Sequence, residues 1–105
     1  MSEATIKDLQ TRRAIRRFHS EAPSAELLDI VLKTGTYAPS GQGKQSPVII
    51  AVQDPQLRAQ LTRMNAEYAN PGTDPYYGAP VIILVLADST VSTWVEDGSC
   101  VLCTM

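Results

Sequence analysis

Val48-Ile49-Ile50-Ala51-Val52-Gln53-Asp54-Pro55 is the stretch on which the architecture turns. Its first five residues form an unbroken apolar and largely β-branched run, which suits a strand buried on both faces. Asp54 then offers a side-chain acceptor to the unpaired amides of a helix's first turn. Pro55, at the first helical position, sacrifices no hydrogen bond there. Leu57, Leu61, Met64 and Tyr68 recur at helical intervals until Asn70-Pro71-Gly72 breaks the pattern. After a loop carrying Tyr76 and Tyr77, Val81 to Ala87 is a second wholly apolar run that stops at Asp88. Strand, helix, strand is the centre of the chain.

Upstream, Ile6, Leu9 and Arg13 have helical spacing after Thr5, a candidate N-cap, so a first helix should run into the basic cluster Arg12-Arg13-Ala14-Ile15-Arg16-Arg17. Pro23-Ser24 opens a second helix, with Leu27, Leu28, Val31 and Leu32 on one face and Gly35 permitting a stop. Tyr37 to Pro47 is rich in glycine, proline and small polar residues and reads as a loop with unusual backbone angles. Downstream, a last helix should begin at Ser92 or Thr93. The predicted order is helix, helix, strand, helix, strand, helix. This pattern is compatible with two parallel neighbours or with members of a larger mixed sheet, and two strands alone leave backbone groups that further strands should pair.

The chain has 105 residues, 44% hydrophobic and 19% charged, the profile of one soluble globular domain spanning residues 1–105. At this length roughly two thirds of the unfolded chain's surface can be buried, so dimerisation would add useful stability. A net charge of -2 gives no reason to expect nucleic acid or an anionic membrane as partner. No apolar stretch is long enough to span a bilayer and no leader pattern opens the chain, so a cytoplasmic location is expected. Against this mild background, four of the nine basic residues crowd into positions 12–17.

Arg12-Arg13-Ala14-Ile15-Arg16-Arg17-Phe18 after a short helix, then Ala38-Pro39-Ser40-Gly41-Gln42-Gly43-Lys44-Gln45, resembles the two FMN-binding segments of the nitroreductase family. Tyr77-Gly78-Ala79-Pro80 before an apolar strand and Asp97-Gly98-Ser99 entering a helix are similar to its next two landmarks. The resemblance implies an α+β fold, a mixed sheet flanked by helices, in an intertwined homodimer with FMN at the subunit interface. It implies that Arg12, Arg13, Ala14 and Arg16 hold the cofactor from one chain and Pro39, Ser40, Gly41 and Gln45 from its partner. Asn65 looks like the family's flavin-edge amide contact. Ala14 stands where serine is usual, and Gly43 where asparagine is common. Family members also continue well past this length, so the fold is expected to be incomplete within these 105 residues.

The chemistry of the residues is consistent with that likeness. A phosphate dianion is well met by guanidinium forks through charge-assisted hydrogen bonds, and Arg12 and Arg16 would converge if the first helix persisted. The plainer reading is a set of cations complementing a helix C-terminus. The Pro39–Gln45 loop has exposed amides and glycines that let a backbone approach a planar ring. It is neither a Walker loop nor a Rossmann fingerprint. Cys100 and Cys103, three apart within a helical pattern, read as packing residues rather than as a redox pair or half a zinc site. His19, Tyr37, Tyr68, Tyr76, Tyr77 and Trp94 carry no assigned role. No triad or carboxylate pair is present, so no residue is assigned a catalytic role, and the cofactor is expected to perform the chemistry. The resemblance implies hydride passage from NAD(P)H through flavin to a nitroaromatic, quinone or similar acceptor. The rival expectation is a non-catalytic fragment that binds flavin weakly or only associates with a partner chain, because an unfinished last helix would expose Trp94, Val101, Leu102 and Met105.

Overall fold

In the computed structural model, which describes residues 1–105, the chain runs α1 (Glu3–Thr11), α2 (Ala25–Gly35), a 3-10 turn (Gly41–Gly43), β1 (Val48–Val52), α3 (Pro55–Tyr68), β2 (Ile82–Leu86) and α4 (Trp94–Thr104). This is the α+β order anticipated from the pattern. β1 and β2 pair antiparallel, with Val48 opposite Leu86, Ile50 opposite Leu84 and Val52 opposite Ile82. The strand direction that the pattern left open is therefore settled, and each strand keeps one unpaired edge.

Local chemistry sets the helix starts. Ser24 Oγ accepts from the Leu27 amide and Asp54 from the Gln56 amide, so both helices begin at the anticipated caps. α2 packs on β1, α4 on β2, and the two helices touch each other beside the sheet. Gly35 allows a close approach there: a Cβ would lie 2.7 Å from Met105 Cγ and 2.9 Å from Ile49 Cδ1. The core is small and comprises Leu28, Val52, Ala66, Ile82 and Val101.

Several expectations are corrected. α1 is capped by Ser2 rather than Thr5 and ends at Thr11, with Arg12 already extended (ψ 136°). None of its residues is buried, so no tertiary contact supports extension into the arginines. The strands are not buried on both faces. Val52 and Ile82 close one end of the ladder, while Val48 and Leu86, paired at the other end, are 54% and 53% exposed. α3 has the expected bounds but presents a different face. Leu57, Met64 and Tyr68 are exposed, whereas Leu61 is half-buried together with Arg58 and Thr62, and Ala66 is buried. In α4, Val101 is buried rather than exposed, whereas Trp94 and Leu102 remain open. Both cysteines are free; Cys100 is half-buried, and Cys103 is exposed rather than packed.

The molecule is open for its size. Its accessible surface is 8207 Å², against about 5,800 Å² for a compact monomer of this mass. Its radius of gyration is 15.4 Å, where about 13 Å is typical.

Candidate functional site

The loop after α2 is built around a chain reversal. Ser40 Oγ accepts from the Gln45 amide at 2.9 Å, and the Ser40 carbonyl accepts from the Gly43 amide at 3.0 Å. Gln42, Gly43 and Gln45 have φ of 55°, 66° and 50°. For the two glutamines this left-handed backbone costs on the order of 1 kcal/mol each, so something must hold it.

A carboxylate 56 positions away ties the loop at Gly41, one residue before Gln42. Asp97, 3% exposed in the first turn of α4, accepts from the Gly41 amide at 2.9 Å through Oδ1 and from Thr93 Oγ1 at 2.9 Å through Oδ2. The positive end of the helix favours a negative charge there. Thr93 makes no side-chain cap to its own helix, and its hydroxyl proton goes to Asp97. Any Cβ on Gly41 would overlap the Thr93 side chain, so the approach requires glycine.

Pro39, Ser40 and Gln45 line a cavity of about 480 Å³ together with Gly35, Ile49 and Val101. The acceptor side of the Ser40 hydroxyl serves Gln45, so its proton is available to a ligand. The adjoining Ser46 Oγ is sealed from solvent without a partner. Such an orphan is uncommon in a folded chain, and this one sits in the same loop.

The arginine segment is organised quite differently. Residues 12–19 have no regular structure, and all are exposed. Arg13 donates to the Arg12 carbonyl at 2.8 Å, and the chain's one ion pair is elsewhere, between Arg58 and Asp74. The four guanidinium groups are therefore free of protein carboxylates, as a phosphate site requires. The predicted convergence of Arg12 and Arg16 on a helical turn does not occur, because α1 has already ended. Arg12, Arg13, Ala14, Arg16, Gly41 and Asn65 line none of the four main cavities, so the fold gathers Pro39, Ser40 and Gln45 but not these.

Asn65 donates from its amide nitrogen to the Leu61 carbonyl at 3.2 Å and to the Tyr76 hydroxyl. Tyr76 belongs to a second pinned loop. Asp74 accepts from the Tyr76 and Gly78 amides at 2.9 and 2.8 Å and pairs with Arg58 at 2.9 Å, while Arg58 also donates to the Ala79 carbonyl. Partial burial works against the Asp74 charge, but Arg58 and the two amides outweigh it and hold its pKa below the ordinary 3.8. Reading the sequence for ligand contacts missed Thr93, Arg58 and Asp74, and took Asp97 only as part of a family landmark. A signal existed for Asp97, which lies four residues before Val101 and so on the inward face of α4. Arg58 had no such signal.

The sequence matches the nitroreductase family over residues 9–101. Among solved structures, an FMN-dependent nitroreductase from Clostridium difficile R20291 superposes with a TM-score of 0.83 at 29% identity, covering 97% of this chain and 53% of that one. A nitroreductase with bound FMN from Desulfitobacterium hafniense DCB-2 gives 0.84 at 26% identity, covering 99% and 63%. A curated relative, iodotyrosine deiodinase from Haliscomenobacter hydrossis, is 36% identical over 50 residues, 48% of this chain and 22% of that protein. The chain thus spans between half and two thirds of these solved relatives. With the α+β topology, the pinned loop and the match across nearly its whole length, this chain belongs to the nitroreductase family.

Proposed function

We propose that residues 1–105 act as a single domain of an FMN-dependent oxidoreductase that passes hydride from NAD(P)H to a nitroaromatic, quinone or similar acceptor. The observation that carries this reading is the Pro39–Gln45 loop, held in a costly backbone conformation beside a cavity, in a chain whose Arg12, Arg13, Arg16 and Arg17 pair with no carboxylate. FMN, when bound, supplies the electron-carrying ring; the chain binds and orients it. Arg12 and Arg16 hold the phosphate, with Arg13 and Ala14 beside them. Pro39, Ser40, Gly41 and Gln45 of a partner copy meet the ring, and Asn65 meets its edge.

The surplus of accessible surface, on the order of 2,400 Å², falls in the range that a permanent dimer removes. Ile6, Leu9, Ile15 and Phe18 in the N-terminal segment are apolar and exposed, which supports a covering subunit. The small core, seven buried residues of 105, favours one second reading: a chain that associates with a partner without turnover. The purified protein with added FMN decides between them. Retained flavin absorbance at the mass of a dimer is expected; a colourless monomer at saturating FMN would sink the oxidoreductase reading.

A further inference from the structure

Asp97 is the one charged residue in the core, and no ligand contact is needed to explain it. Its two oxygens are both committed, one to the Gly41 amide and one to the Thr93 hydroxyl. A buried carboxylate is retained at a desolvation cost, which an apolar side chain would not incur, so its geometry must serve something the core alone does not need. What it reaches is the backbone of the loop at the residue where the 3-10 turn starts, one position before the left-handed Gln42. The alternatives to that backbone are more comfortable for glutamine, and without the tether the loop would relax into them.

We propose that Asp97 is a positioning residue that locks the Pro39–Gln45 loop in its flavin-receiving form before the cofactor arrives. This inference rests on the flavin-binding reading above. The lock has three parts: the carboxylate, the Thr93 hydroxyl that orients it, and the missing Cβ of Gly41 that lets the loop close on α4. Its consequence is preorganisation, in which the ordering of the loop is met during folding rather than on binding.

The test uses the full chain and two readouts: FMN affinity, by quenching of flavin fluorescence, and amide hydrogen exchange at Gly41. Each is measured where circular dichroism shows the variant folded. Asp97→Ala should weaken FMN binding about tenfold or more and speed Gly41 exchange by a similar factor, as expected for loss of a charge-assisted bond. Asp97→Asn keeps an acceptor of the same shape and should stay within about threefold of wild type in both. Val52→Ala, which opens the core at the sheet and leaves the loop alone, should lower the melting temperature without moving either readout. Wild-type-like FMN binding by Asp97→Ala, or an equal loss of binding in Val52→Ala, overturns the positioning role. Failure of the wild-type chain to bind FMN at all instead overturns the proposed function, and the exchange at Gly41 still reports whether Asp97 holds the loop.

Discussion

Two segments assigned to one cofactor are held in opposite ways. The Pro39–Gln45 loop is fixed by a buried carboxylate 56 positions distant and carries three residues in left-handed conformations. The arginine segment is exposed throughout and is fixed by little beyond bonds between near neighbours. A loop that must receive a ring without collapsing needs tertiary support. Guanidinium groups that meet a dianion need only reach, because the phosphate and a partner surface can order them on arrival. On the proposed reading, the difference would separate the part of the site built during folding from the part completed on assembly.

The sharpest way to break this contrast is to remove the arginines. Arg12→Ala with Arg16→Ala should weaken FMN binding by about 1.5–3 kcal/mol per lost charge-assisted bond while leaving the melting temperature of the cofactor-free chain unchanged. A titration with unaltered affinity would show that the phosphate is held elsewhere. A smaller effect of the reverse kind is expected at Gly41. Gly41→Ala drives a methyl into Thr93 and should cost about 1–3 kcal/mol of stability, with weaker flavin binding following from the displaced loop. Unchanged thermal and chemical denaturation curves would mean that the loop is not pressed against α4.

The smallest effect sharpens the comparison at the second pinned loop. The pKa of Asp74 is lowered in the folded chain, so its contribution is present above its ordinary value of 3.8 and is lost as the pH falls through the depressed value. Asp74→Asn should therefore cost about 1 kcal/mol at neutral pH, a modest figure because the Arg58 pair is partly solvated, and should flatten the acid limb of stability below about pH 4. Parallel acid limbs for the variant and the wild type would show that the carboxylate contributes nothing there.

Much of this was readable along the chain. The β-branched run at Val48–Val52, the Asp54-Pro55 start and the Ser24 cap depend on neighbours within four residues, and all three elements lie where local chemistry puts them. The apolar spacing of Leu57, Leu61, Met64 and Tyr68 gives the helix α3 but not its inward face, since only Leu61 of the four is half-buried. The inward face follows the Asp74 loop that Arg58 holds, a partner 16 positions on. The expected run of the first helix into the arginines also fails: α1 ends at Thr11, and with no residue buried it has no packing that would carry it further.

The element types, the cationic cluster at Arg12–Arg17, the small-residue loop at Pro39–Gln45 and the family resemblance they carry are legible without a fold, because each is written in contiguous residues. Tertiary structure alone decided the antiparallel pairing, the inward turn of Arg58 and the reach of Asp97 to Gly41. Those depend on which distant groups meet once the strands pair, where burying a carboxylate without its donors would cost more than the fold can spare.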